Sequence, residues 1–306
     1  IMMEYCNGGG LLDCLENYIS RYGKPFSEQI VNHIMRQLVD AIKYIHNRRI
    51  IHRDLKLDNI LINYSHEADK ASLNLMNAQF KIIDFGFAIY LDSNGLAYSA
   101  LGSPMNMDPI ILNEMNSDSN VLKGYNTKVD IWSLGTLCYE MLIGRPPFIA
   151  GDLPGLVKKV EKGTYSFPLN ISKEVVSFLN GMIQYDNKKR LNANQLSRHH
   201  FLVKNVSEFT PINLTSIMNK IGGQGFKVNI KNNKTIWEIF NGQNSQNEQL
   251  LNNIDPCLLN PATTNENIYV DKYGDRNFFL TPHPLIFDVI PSGKEESTNP
   301  ITQTPT

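Results

Sequence analysis

The stretch Val129 to Ile143 is helix-length and apolar around its whole circumference, and Gly144-Arg145-Pro146-Pro147 stops it. A helix apolar on every side is stable only when other elements surround it. The chain must therefore build a core around this segment. Its 306 residues, 42% hydrophobic and 19% charged, suffice for that without disulfides or metal. At roughly 100–200 residues per domain, the length suits one large domain plus an appendage, or two domains.

Other patterns predict what packs there. Leu11, Leu12, Leu15 and Ile19 form a helical stripe after Gly8-Gly9-Gly10. Ser27 reads as the N-cap of a longer helix with Ile30, Ile34, Leu38, Ile42 and Ile45 on one face, ending near Asn47. Further helices are predicted over Leu153 to Lys162, Lys173 to Gln184 and Ala193 to His199. Ile1 to Tyr5 reads as the end of an apolar strand, and short apolar runs at Ile50-Ile51, Ile60 to Ile62 and Phe80 to Ile83 read as strands. Asn63 to Asn77 reads as an extended hairpin loop, and Asp84 to Leu112 as irregular. Beyond about Asn205 the composition shifts to Asn, Gln, Thr and Ser. Strand-like fragments remain at Gly225 to Ile230 and Phe278 to Leu280, and Ser292 to Thr306 reads as disordered.

The net charge of −1 supplies no global field for nucleic acid or a membrane surface. No apolar run approaches the ~20 residues of a membrane-spanning helix. Cys6, Cys14, Cys138 and Cys257 lie in no ligand-like spacing and read as reduced intracellular thiols.

Chemistry concentrates in three strings. His52-Arg53-Asp54-Leu55-Lys56-Leu57-Asp58-Asn59 fills a polar turn between two apolar runs. Phosphoryl transfer needs a carboxylate at the attacking hydroxyl, a cation on the phosphoryl group and a ligand for Mg²⁺. Asp54, Lys56 and Asn59 offer these. Asp84-Phe85-Gly86 follows a strand; Asp84 would hold Mg²⁺ against phosphates, Phe85 would pack as a gate and Gly86 would permit a backbone flip. Asp130 opens the buried helix in Asp130-Ile131-Trp132-Ser133-Leu134-Gly135. It could accept backbone N–H bonds from the catalytic loop, or serve only as an acidic residue favoured by the helix dipole.

Together the strings resemble the large lobe of eukaryotic protein kinases, over about residues 1–203. The resemblance makes Met3-Glu4-Tyr5-Cys6 the adenine-binding hinge, with Met3 as gatekeeper, Glu4 and Cys6 as cofactor contacts and Leu61 as the floor under adenine. It makes Ser103, in Gly102-Ser103-Pro104, a partner of Asp54 and Lys56. Lys56 itself marks a serine/threonine kinase. Lys81 to Ala88, Tyr90-Leu91 and Leu101 to Met105, with the insertion between Asn59 and Asp84, look like the autophagy-initiating, Ulk-type kinases, although neighbouring families share much of the string. Ser99 falls where that subfamily carries an activating phosphothreonine, with Arg53 as its charge partner; a solvated loop hydroxyl is the other reading.

The pattern also breaks. No Gly-rich loop, strand lysine or helix glutamate precedes the hinge, and Gly8-Gly9-Gly10 is no phosphate loop. The first residue is Ile1, so upstream sequence is expected to be missing, unless Met2 or Met3 is a true start. Ile110 stands where the family has a Glu that pairs with a buried Arg, the position of Arg190. Asp108 or Glu114 is expected to reach Arg190 instead, unless Arg190 is solvated. Asn106 replaces a Tyr of many relatives, with an expected effect on substrate fit.

The expected fold is therefore mainly α. It is a protein-kinase-like large (C-terminal) lobe with short β-hairpins at the catalytic cleft over residues 1–203, plus a poorly defined, Asn-rich and partly disordered extension over 204–306. The resemblance implies a cytoplasmic kinase that uses ATP and Mg²⁺ on protein substrates, without nucleic acid or a membrane span. A regulatory partner could dock at the extension, where Trp237, Ile239 and Phe240 form an apolar anchor. By itself the chain is expected to bind ATP poorly and to expose an apolar face where a small lobe would dock. The alternative is a non-catalytic kinase-like lobe acting as a binding or scaffold module.

Overall fold

The computed structural model describes residues 2–117, 124–168, 171–209 and 225–229. All of them belong to one compact unit, Ile1–Lys272. Residues 2–6, expected to belong to the end of a strand, carry no regular structure. Their place in the fold is set by the glycine triplet that follows. Gly8 N donates to Ile62 O at 2.8 Å and Ile62 N to Gly9 O at 2.9 Å, which pairs the entering chain with a strand rather than with phosphate.

Helix α1 (Leu11–Tyr22) ends at Gly23 in the left-handed region, φ 68°. Helix α2 (Glu28–His46) starts where expected, with Ser27 Oγ accepting from Ile30 N. Strand β1 (Ile50–Ile51) precedes the polar turn of residues 52–59, and β2 (Ile60–Tyr64) follows it. The segment expected to be a plain hairpin loop contains a short helix, α3 (Glu67–Ser72), before β3 (Ala78–Ile82). Short polar helices of this kind lack the apolar stripe that a sequence pattern can report. β2 and β3 pair antiparallel, with Ile60 opposite Ile82. β4 (Ile89–Tyr90) pairs antiparallel with β1.

The segment expected to be irregular to Leu112 instead turns helical at α4 (Pro109–Met115), capped by Asp108. Helix α5 (Lys128–Ile143) is the buried centre. Every residue from Val129 to Tyr139 is buried. Its polar members are satisfied locally: Ser133 Oγ donates to Asn106 O at 2.7 Å, and Thr136 Oγ1 accepts from Asn106 Nδ2 at 2.9 Å. Asn106 is thus buried against α5, anchoring the loop that precedes α4. Gly135 allows a close approach, since a Cβ there would lie 2.7 Å from Ile183 Cγ1.

Helix α6 (Leu153–Lys162), strand β5 (Thr164–Pro168) and helix α7 (Lys173–Met182) follow, then the short helices α8 (Ala193–Leu196) and α9 (His200–Val203). Asn32, buried on α2, donates from Nδ2 to Phe201 O and so ties α9 back to α2. Strand β6 (Gly225–Asn229) pairs antiparallel with β5. The architecture is mainly α with short antiparallel strands, as expected. The expectations for Cys257, Trp237, Ile239, Phe240, Phe278 to Leu280 and the C-terminal disorder lie outside the described residues. Cys6, Cys14 and Cys138 are free thiols. No described helix is long and apolar enough to cross a membrane.

Candidate active site

The turn between β1 and β2 is held from beneath by α5. Asp130 is fully buried at the start of that helix. Its Oδ2 accepts from His52 N and its Oδ1 from Arg53 N, both at 2.9 Å. His46, at the end of α2, lies 2.8 Å from the same carboxylate. A buried charge is tolerable only with such partners. The arrangement fixes the backbone of the loop, including Arg53 at φ 70°, a conformation rare for a residue other than glycine.

Asp54 is 4% exposed. Its Oδ1 accepts from Ser103 Oγ at 2.6 Å and Ser103 N at 3.0 Å. Its Oδ2 accepts from Asn59 Nδ2 at 2.8 Å and faces Lys56 Nζ at 3.3 Å. Lys56 Nζ also donates to Ser103 Oγ at 2.9 Å. Burial alone would push the Asp54 carboxyl up. The hydrogen bond from Ser103, the Lys56 ammonium and the Asn59 amide outweigh it and hold the group below its ordinary value. Asp54 is therefore ionised at neutral pH and able to accept a proton from a hydroxyl.

The Gly102 and Ser103 loop is brought onto this carboxylate at very close range. Gly102 has φ 127°, and a Cβ there would stand 2.5 Å from Arg53 O. Only glycine fits. Gly102 was not singled out as a site residue by its sequence context, though its neighbour Ser103 was.

Asn59 and Asp84 sit at adjoining ends of the β2–β3 pair, and Ile83 N donates to Asn59 O at 2.9 Å. The Asn59 amide nitrogen bonds Asp54, which directs the amide oxygen elsewhere. Asp84 is exposed, at φ 59°, and its Oδ1 accepts from Gly86 N at 3.1 Å. Two hard oxygen donors suit a magnesium ion that takes its other ligands from phosphates and water. Among the described residues, no three His, Cys, Asp or Glu side chains gather into an all-protein metal cage. The donor set thus fits a phosphate-bound ion. Phe85 is 48% exposed, with one edge of its ring against His52 at 4.8 Å.

Arg53 points its side chain to the segments that flank β4. Its Nε donates to Phe87 O at 2.5 Å, and its Nη1 donates to Ser99 Oγ and, at 3.0 Å, to Tyr125 OH. Tyr125 OH donates to Ser99 O. Tyr125 carries no local sequence signal; only the fold brings it here. At the segment expected to be the hinge, Leu61 is half-buried opposite Gly10, Cys6 is half-buried, and Glu4 Oε2 lies 3.4 Å from Lys81 Nζ. Met2, Met3 and Tyr5 are exposed, as is much of Phe85 and Phe87.

Arg190 is buried, and its carboxylate partner is Asp108. The guanidinium also donates from Nη2 to Gln184 O at 2.7 Å and from Nη1 to Lys128 O at 2.6 Å, and lies over the Trp132 ring.

The model of the protein kinase domain family matches residues 1–202. Human serine/threonine-protein kinase ULK1 is 35% identical over 205 residues, which cover 66% of this chain and 18% of that protein. Serine/threonine-protein kinase atg1 of Dictyostelium discoideum is 32% identical over 202 residues, 66% of this chain and 27% of that protein. Serine/threonine-protein kinase SKM1 of Saccharomyces cerevisiae is 33% identical over 210 residues, with 66% and 29% covered. The chain spans less than a third of the length of these relatives. Its loop geometry and the family match agree: this chain belongs to the protein kinase family.

Proposed function

We propose that the protein transfers the γ-phosphoryl group of ATP to serine or threonine hydroxyls of protein substrates. The observation that carries this reading is the Asp54, Ser103 and Lys56 triangle, an ionised carboxylate and a cation joined through one hydroxyl. In this mechanism Asp54 orients the attacking hydroxyl and takes its proton. Lys56 stabilises charge on the transferred group. Asn59 and Asp84 would hold Mg²⁺, which supplies charge neutralisation at the phosphates. Leu61, Glu4 and Cys6 line the adenine side. Ser99, once phosphorylated, would meet Arg53 in a charge-assisted pair that orders the loop.

The same reading takes residues 1–203 as hinge and large lobe and 204–306 as an extension offered to a regulatory partner. It places the protein in the cytoplasm, within the Ulk and Atg1 group that initiates autophagy. Asp108 supplies Arg190 with the carboxylate that Ile110 lacks, which favours this reading over the non-catalytic alternative. The test is phosphoamino-acid analysis of a protein substrate incubated with the native polypeptide, Mg²⁺ and labelled ATP. Label on Ser or Thr supports the assignment; label on Tyr alone, or none, overturns it.

A further inference from the structure

β5 is gripped from one side by the core. Tyr165 and Phe167 are buried. Both rings pack on Tyr139 of α5, and Tyr165 also meets Phe148. The Tyr139 hydroxyl donates to Ser166 O at 2.6 Å. These contacts fix the strand on α5 and leave a row of backbone donors and acceptors along its edge. Unpaired edges of this kind accept any extended segment that reaches them.

Gly225–Asn229 pairs with that edge along its whole length. Phe226 stands opposite Phe167, Lys227 opposite Ser166 and Val228 opposite Tyr165. In sequence, Phe226, Lys227, Val228 and Asn229 alternate apolar and polar, the period of a strand. Among the described residues β5 has no other strand partner.

The tether explains how so short a strand can seat. Phe209 packs on Phe201, ring centroids 5.4 Å apart, which anchors the chain to the lobe 16 positions before β6 begins. A segment of the same polypeptide meets β5 as an intramolecular partner, an advantage over a free segment at cellular concentration.

We propose that β5 is a strand-docking edge of the kinase lobe and that the chain's own residues 225–229 occupy it in cis. The seated strand holds the extension on the lobe and closes the edge to strands from other chains. This inference is independent of phosphotransfer. The test is hydrogen exchange, read by mass spectrometry, on the full chain and on its Phe226→Pro/Lys227→Pro variant. Alternate residues of a strand face the neighbouring ladder. Substituting two adjacent positions therefore removes a ladder donor whichever set is bonded.

In the variant, amides of residues 164–167 should exchange about tenfold faster or more, with the rest of the lobe unchanged. A synthetic peptide of residues 222–232 should restore their protection in the variant and change nothing in the wild type. Equal exchange in the two proteins would overturn the proposal, as would a peptide without effect at millimolar concentration. Protection in the wild type that rises with protein concentration, together with a dimer in sedimentation, would also overturn it and assign the strand to a second copy.

Discussion

Asp108 stands two positions before Ile110, and its carboxylate serves two partners at once. One oxygen takes the Arg190 guanidinium; the other accepts from Ile110 N at 2.7 Å and caps α4. Removing it would leave a buried guanidinium without its counter-charge. Asp108→Ala should therefore destabilise the lobe by about 3–5 kcal/mol in chemical denaturation. Adding Ile110→Glu to that variant should recover much of the loss, because the carboxylate returns to the position that the wider family uses. A double variant no more stable than Asp108→Ala would refute this account of Arg190. Gly102 makes a second case. Gly102→Ala must push Ser103 away from Asp54, since the new Cβ would strike Arg53 O. Misplacement on the scale of 1 Å can cost about 10²-fold in rate, and kcat should fall by that order with little change in Tm. Unchanged kcat would show that the loop gives way without consequence.

At the scale of the element, His199 governs the start of α9. Its Nδ1 accepts from Phe201 N and its Nε2 lies 3.1 Å from Ser177 Oγ. Burial, and then the neighbouring His200, lower its pKa to about 4, against a weaker opposing pull from Glu174. The unfolded chain, with an ordinary histidine near 6.5, binds more protons between these values. Stability from this group is therefore complete above about pH 6.5 and is lost as pH falls toward 4. Glu140 runs the other way. Burial, with Asp58 and Glu16 nearby, raises its pKa to about 7, so its cost grows as pH rises from its ordinary value toward 7. The two offset each other in the total, and the comparison to make is between wild type and His199→Gln. The stability gap between them should shrink as pH falls from 6.5 to 4; a gap independent of pH would contradict the reading. Elements with a strong apolar period, α2, α5, α6 and α7, were legible in the sequence within a few residues. α3 and α4 were not, because one is short and polar and the other is set by the Asp108 cap and by packing rather than by period. The strand end expected at Ile1 to Tyr5 is not seen over residues 2–5 for a related reason: among the described residues they have no strand to pair with, and Met2, Met3 and Tyr5 stand exposed.

For the molecule as a whole, the chemistry was more legible than the framework that supports it. His52 to Asn59 and Asp84 to Gly86 are contiguous strings, so their residue types announce the reaction without any fold. What positions them is distant in sequence. Asp130, Tyr125 and Gly102 reach the catalytic loop only through the burial of α5 and the closure of the loop around Ser103. Of these, Asp130 was visible because it opens an apolar helix, whereas Tyr125 carried no signal. The strand at 225–229 was visible as a fragment, but its partner β5 was not, since pairing between distant segments leaves no local trace. The central claim is that Asp54 is the group that accepts the substrate proton. The measurement that tests it most directly is single-turnover phosphotransfer by the native polypeptide, wild type against Asp54→Asn, with thermal unfolding followed in parallel. The account predicts a loss of about 10²–10⁴-fold with the fold retained. Transfer by the variant within a few-fold of a working wild type, or a folded wild type that transfers nothing under any condition, would contradict it.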